Sequence, residues 1–227
     1  GLYQDAGENW WSGDRPLPEN IRVFESIENL IQSGSRAALI ITDRLLKEKQ
    51  LASLPEQTVI YRPKSLVIGI GCNRGTACSR IEEAVTKLFS DHGLAASSIR
   101  NVATIDLKKD EKGILEFAAK HRFPIEYFDK ESLSRVNFPS PPSEAAQKHV
   151  GTPSVCESAA ILSSGNPALI VPKKSFGRAV TVSVASLPEK PEMKRGKLFL
   201  IGLGPGSPEH MTLRARQAIS ESDIVVG

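Results

Sequence analysis

No stretch of this chain approaches the eighteen or so consecutive apolar residues that a bilayer-spanning helix needs. Its start, Gly1-Leu2-Tyr3 with acidic residues close behind, lacks the basic-then-apolar order of a secretory leader. No membrane segment is expected, and because the first residue is Gly rather than Met, a natural start further upstream is expected. Cysteine is scarce: Cys72, Cys78 and Cys156 are an odd number at wide spacing. That excludes a disulfide framework and fits a reducing cytoplasm. No CxxC pair is present, so no zinc site is expected. Charge of one sign is also lacking. Lys and Arg total 29 against 26 Asp and Glu, a net +3, too mild to point to nucleic acid, although basic residues gathered in loops can still serve an acidic small molecule. What is there is ordinary globular composition, 40% hydrophobic and 24% charged, with 15 Pro and 17 Gly spread along the chain.

Periodicity divides the chain into an α/β series. Near the start, a short helix follows Ser26, and the continuous apolar run Ala37–Thr42 reads as a buried strand. Thr42 or Asp43 would cap a helix through Lys47, and Thr58–Tyr61 is another strand. Arg62-Pro63-Lys64 reads as a hinge. Beyond it, Leu66–Ile70 is a strand and residues 71–75 a loop. Thr76 is placed to cap a helix whose Ile81, Ala84, Val85, Leu88 and Phe89 form one apolar face, closed by Gly93. Val102–Ile105, an amphipathic helix marked by Ile114, Leu115, Ala118 and Ala119, and the strand Ile125–Phe128 continue the alternation, with a short helix from Asp129. A proline-rich loop over 137–143 and a short helix over 144–149 come next. Thr152-Pro153 opens a further helix, with Ser154 and Glu157 as a rival capping box. Strands at 168–171 and 179–184 are joined through Pro172–Arg178 as a hairpin.

The expected fold is therefore α/β, a mixed or parallel sheet flanked by helices. A partial α/β domain (1–62) precedes the main one (65–185). A linker (186–196) leads to a strand-helix-strand unit over 197–227, too small to bury its own core.

The loop Gly69-Ile70-Gly71-Cys72-Asn73-Arg74-Gly75-Thr76 lies between a strand and a helix. Glycines allow close backbone approach, a helix N-terminus offers free N–H groups, and Arg74 can clamp a carboxylate. The same pattern also serves as a plain tight turn. It is neither a phosphate loop nor a dinucleotide fingerprint, since no Gly-Lys-Ser/Thr follows and position 74 is Arg. Gly151–Glu157 is a second loop-to-helix start, able to seat a propionate through Thr152 and Ser154 or to hold Glu157 as a general base, but equally a capping device. Lys173, Lys174 and Arg178 could gather an acidic substrate, or could decorate a solvated hairpin. Gly202, Gly204, Pro205 and Gly206 suggest backbone approach to a ligand, or a sharp turn.

Taken in order, these motifs resemble one family. Trp10-Trp11 through Arg15–Asn20, then Ala38–Arg44, Val59–Lys64, Leu66–Thr76, Gly151–Ala160, Leu169–Lys174 and Ala179–Ala185 look like the central and C-terminal regions of CbiG-type cobalt-precorrin-5A hydrolases. The last region is also similar to CobE. Leu200–Gly206 with Met211–Ala215 resembles the opening of tetrapyrrole methylases, by context the cobalt-precorrin-3 C(17)-methyltransferase type. The resemblance implies a role in anaerobic cobalamin biosynthesis: hydrolysis of the ring A δ-lactone of cobalt-precorrin-5A with loss of acetaldehyde. It implies no cofactor for the hydrolase, cobalt carried inside the substrate, and S-adenosylmethionine for a complete methylase domain, held by Gly202, Gly204, Pro205 and Gly206. In that setting Gly71, Asn73, Arg74, Gly75, Thr76, Thr152, Ser154, Lys173, Lys174 and Arg178 are the candidate substrate contacts, and Glu157 is the in-chain base candidate. Competing readings are a non-catalytic tetrapyrrole carrier and a nucleotide-binding α/β domain.

Overall fold

The apolar run predicted over 66–70 becomes the third strand of a five-stranded sheet in a computed structural model, ordered β7-β6-β5-β9-β8. The structure describes residues 1–7, 17–136, 154–188, 211–220 and 222. The five strands are β5 (Leu66–Cys72), β6 (Ile99–Ile105), β7 (Ile125–Phe128), β8 (Leu169–Phe176) and β9 (Val180–Ser186). β5, β6 and β7 run parallel, whereas β9 lies antiparallel to both β5 and β8. The mixed sheet expected from the sequence is present, with helices on both faces.

The two faces differ in chemistry, because successive strand residues point to opposite sides. Leu66, Ile68, Ile70, Val102, Val182 and Val184 face α3 (Cys78–Asp91) and α4 (Lys112–His121), packing on Ile81, Leu88, Ile114 and Phe117. Each such buried side chain contributes about 1.5–3 kcal/mol. The opposite face carries a smaller cluster, Val67, Ala103 and Ile105, interspersed with Gly69, Asn101 and Ser183. Against it lies α6 (Val155–Ser164), itself built of small residues and buried nearly all round, with α5 (Lys130–Ser134) contributing Leu133. Gly93 closes α3 as predicted, with φ at +62°. α4 stops at Arg122, whose left-handed φ of 57° lets its N–H reach the last turn's carbonyls.

The residues before the hinge form a second, wholly parallel sheet, β2-β1-β3-β4: β1 (Leu2–Gln4), β2 (Val23–Phe24), β3 (Ala37–Ile41) and β4 (Gln57–Tyr61). β1 and β2 are too short to read from periodicity. α1 (Ile27–Gln32) forms as expected, capped by Ser26, whose Oγ accepts the Asn29 N–H at 3.1 Å. The helix expected from Asp43 to Lys47 does not form; α2 begins at Glu48 and runs to Ala52. Residues 43–45 pair instead with the end of α3: Arg44 bridges Leu94, the Leu45 N–H donates to Gly93 O at 2.7 Å, and the Ala95 N–H donates to Asp43 O at 2.7 Å. Tertiary pairing outweighs the local capping signal.

The predicted hinge is a tied joint. Ser65 Oγ donates to Asp43 Oδ2 at 2.8 Å, and Arg62 donates to Thr42 O at 3.0 Å and to Arg44 O. Residues 1–191 form one compact unit and 192–227 another. In the second, α7 (Leu213–Ser220) forms, with Thr212 Oγ1 accepting the Ala215 N–H at 3.2 Å. The strands expected at 197–203 and 224–226, the loop at 137–143 and the helix at 144–149 lie outside the described residues, as does most of the expected linker.

Burial pushes the Asp43 carboxyl above its ordinary value of 3.8, with the Ser65 hydrogen bond and Arg44 opposing. A raised carboxyl makes its full contribution to stability below the unfolded pKa and loses it as pH rises through the folded value. Asp43→Asn, which keeps an acceptor for Ser65 without the charge, is expected to remove that decline and melt at or above wild type at pH 7. Asp43→Ala, which orphans the Ser65 hydroxyl, should lose about 1–3 kcal/mol. Thermal melts from pH 3 to 7 read both; an Asn variant markedly less stable than wild type at pH 7 would contradict the assignment.

Candidate functional site

Three of the predicted segments meet at the carboxyl end of β5, where open parallel sheets place their ligands. The first is the loop after Gly71. Its Asn73 turns toward the β8–β9 turn: the backbone N–H donates to Ala179 O at 2.9 Å and Nδ2 donates to Arg178 O at 3.0 Å. Arg74 turns the other way, donating to Asp110 Oδ2 at 2.7 Å and toward Leu107 O at 3.4 Å. Gly75, at φ +76°, donates its N–H to Glu111 Oε1 at 2.8 Å. Thr76 is not the helix cap: α3 starts one residue later, behind Ala77, and Thr76 Oγ1 donates back to Asn73 O at 2.7 Å, tightening the loop.

The second segment is the start of α6. Ser154 is its N-cap in extended conformation, but the Ser154–Glu157 capping box does not form. Ser154 Oγ sits 3.6 Å from Cys156 Sγ, and the fully buried Glu157 carboxylate accepts the Lys173 N–H at 3.0 Å. Glu157 thus joins α6 to β8. The helix can approach so closely because position 69 is Gly: a Cβ there would lie 1.8 Å from Cys156 O and 2.9 Å from Ser183 Oγ. Two residues on, Thr181 Oγ1 donates to Gly71 O at 3.2 Å, and Thr104 Oγ1 donates to Ile70 O at 2.8 Å from the other face.

The third segment is β8 and its turn. Lys173 and Lys174 are strand residues rather than loop residues, because β8 runs on to Phe176 and the turn is confined to 177–179. Lys174 pairs with Val182, which pairs with Ile70, so both lysines lie level with the end of β5. Lys173 is half-buried, Lys174 and Arg178 are exposed. Gly71, Asn73, Ser154, Glu157, Lys173, Lys174 and Arg178 thus gather on the β9–β8 side of the end of β5, whereas Arg74 and Gly75 turn to the β6 side. Thr152, Gly202, Gly204, Pro205 and Gly206 lie outside the described residues.

Chemically the edge offers exposed cationic side chains of a kind suited to carboxylates. Its thiols are not poised as nucleophiles, since burial pushes Cys72, Cys78 and Cys156 all upward, away from the thiolate. No group of three or more metal-ligating side chains occurs among the described residues.

Sequence reasoning missed the turn after β6. Glu111 is 2% exposed and carries both the Gly75 N–H and, on Oε2, Lys108 Nζ at 3.3 Å. Beside it, Gly113 leaves room for Thr76 O, which would lie 2.0 Å from a Cβ there. The signal was available: Lys108-Lys109-Asp110-Glu111 follows β6 as the glycine loop follows β5, and parallel neighbours bring two such turns together.

Comparison with known protein families now bears on this edge. Residues 66–185 match the family described as "Cobalamin synthesis G C-terminus". The chain belongs to this family. Residues 197–227 match the tetrapyrrole (corrin/porphyrin) methylases. The cobalt-precorrin-5A hydrolase of Priestia megaterium is 40% identical over 188 residues, covering 82% of this chain and 50% of that protein. The chain spans about half the length of the curated hydrolases it matches. At its end, 33 residues (14% of this chain) are 64% identical to 6% of the cobalt-factor III methyltransferase of Priestia megaterium. The crystal structure of CobE, a protein from the cobalamin biosynthetic pathway, superposes with a TM-score of 0.51 at 25% identity, over 56% of this chain and 94% of that one. No helix among the described residues is long and apolar enough to cross a membrane.

Gly69→Ala tests the seat of α6. The contact is with backbone, so the helix must move, and a loss of at least about 3 kcal/mol is expected. Urea denaturation measures it; an unchanged midpoint would mean that α6 does not lie on β5 at this depth.

Proposed function

We propose that the chain serves the opening of the ring A δ-lactone of cobalt-precorrin-5A, with release of acetaldehyde, in anaerobic cobalamin biosynthesis. Family membership and the 40% identity to a cobalt-precorrin-5A hydrolase support the reaction. The observation that supports the site is the meeting of the glycine loop with the β8–β9 turn, where Asn73 donates to Ala179 O and Arg178 O, while Lys173 and Lys174 lie level with the end of β5 and Arg74 flanks it on the β6 side. A corrin bearing many acetate and propionate groups needs several cations, and this edge presents exposed basic side chains on a backbone already tied down by hydrogen bonds. Lactone hydrolysis adds water to the ring carbonyl and breaks the ring C–O bond, freeing a carboxylate and a hydroxyl; acetaldehyde leaves when that hydroxyl gives up its proton and the bond from its carbon to the macrocycle breaks, the electron pair passing to the macrocycle, which is then protonated, so the steps require a base and donors for the oxyanion. Glu157 is the base candidate on this chain. Its carboxylate is fully buried and accepts the Lys173 N–H, which supports a second role, holding the lysine strand in register.

In this reading residues 1–62 form a partial central domain, 65–185 the substrate-gripping domain, 186–196 a linker and 197–227 the start of a fused methylase. The complete methylase domain would use S-adenosylmethionine to methylate a precorrin, and the hydrolytic reading draws on none of its residues. The scarce cysteines suit a soluble protein of the cytoplasm acting on a small acidic corrinoid, not on nucleic acid. The alternative of a tetrapyrrole carrier is favoured by one observation, the commitment of Glu157 to a backbone amide.

Acetaldehyde trapped during turnover of cobalt-precorrin-5A by the full-length polypeptide separates the two. Glu157→Gln is expected to lower its release about 100-fold, whereas replacing Lys174 and Arg178 with Ala should raise KM with kcat little changed. Unchanged release by the Gln variant would take Glu157 out of the chemistry, and no acetaldehyde from wild type would leave the carrier role.

A further inference from the structure

The acidic turn after β6 was no part of the predicted site, yet it fills the donors of the glycine loop. Asp110 and Glu111 are neighbours in sequence with opposite surroundings. Glu111 is 2% exposed and held by the Gly75 N–H and Lys108, so it is a fixed part of the loop. Asp110 is exposed, its side chain 68% accessible, and its ion pair is with an equally exposed Arg74 at 2.7 Å. Exposed pairs of this kind are weak and exchange readily.

We propose that Asp110 is an internal competitor for the carboxylate site at Arg74, a specificity-determining residue that selects polycarboxylate ligands. A ligand carboxylate reaches the guanidinium only by displacing Asp110, whose charge then stays beside the bound acid. A ligand with one carboxylate gains one contact and keeps that repulsion. A ligand with many carboxylates spread over a ring can span the end of β5 from Arg74 on the β6 side to Lys174 and Arg178 on the β8 side and offset it through several simultaneous contacts. Leu107, 57% exposed and sharing its carbonyl with Arg74, adds apolar surface at the same turn for the ring itself. This deepens the function proposed above and rests on its reading of Arg74 as a substrate contact.

The test is titration of the full chain with uroporphyrin, an eight-carboxylate tetrapyrrole, followed by absorbance at fixed ionic strength. Asp110→Ala is expected to bind about threefold more tightly than wild type, and Arg74→Ala about tenfold more weakly. The decisive variant is the double one: with Arg74 absent, removing Asp110 should change nothing. Asp91→Ala, at the other end of α3 and paired with Lys87, should bind as wild type. If Asp110→Ala binds no more tightly while Arg74→Ala weakens binding, the competitor role is wrong and the carboxylate site stands. If the Asp110 gain persists without Arg74, or Asp91→Ala shows it too, the effect is general charge and the proposal fails. If Arg74→Ala binds as wild type, the reading of the loop as a carboxylate site fails instead.

Discussion

The absence of a side chain at position 69 sets the depth at which α6 lies on the sheet, and the arrangement of the candidate site depends on that depth. With the Cys156 carbonyl 1.8 Å from where a Cβ would be, helix and strand meet backbone to backbone. This allows Glu157 to reach the Lys173 amide and sets Ser154 at the sheet's carboxyl end. The sheet face is matched to the purpose: Gly69, Ala103 and Ser183 on β5, β6 and β9 leave a shallow floor, and the small residues of α6 fill it. Burial on the opposite face, by α3 and α4, is conventional aliphatic packing and supplies much of the apolar burial. The α3 and α4 face thus has the larger aliphatic core, and the α6 face combines a smaller one with a close backbone seat.

Much of this architecture was legible because long periodic segments dominate it. The face of α3 could be read residue by residue, and the run at 66–70 identified the middle strand. Misreadings fell where tertiary pairing outweighs local signals. Thr42 and Asp43 look like a helix cap, but their backbone is used by Gly93 and Ala95. Ser154 and Glu157 have capping-box spacing, but the carboxylate goes to another strand. Lys173 and Lys174 follow Pro172, which reads as a loop; on edge strand β8 a proline is tolerated and the strand continues. For the site, the glycine loop and the basic residues could be listed from sequence, but their partners could not, since Asp110 and Glu111 act 36 residues away from Arg74 and Gly75.

The electrostatics of the edge follow from parallel topology. β5 and β6 end side by side, so the turn after each must share space with the other. A glycine loop alone would leave a free amide and a free guanidinium in close company. The acidic turn satisfies both, one in the interior and one in solvent. Burying Glu111 is tolerable because two donors meet it, the Gly75 amide and Lys108; removing either partner of such a buried pair typically costs about 3–5 kcal/mol. The order of the loop is therefore built into the chain and does not wait for a ligand, which lowers the ordering cost of binding.

The joint between the two sheets extends the same logic. A parallel sheet of four short strands has little core of its own, here centred on Leu30, Ala38 and Ile40. It is held to the larger sheet by Asp43, Arg44 and Leu45 on one side and Arg62 and Ser65 on the other. The backbone contacts of Asp43, Arg44 and Leu45 fall on the turn that ends α3, the helix that begins after the glycine loop, while Arg62 and Ser65 brace the same segment by donating to Thr42, Arg44 and Asp43, so one short segment of the smaller sheet is held from two sides.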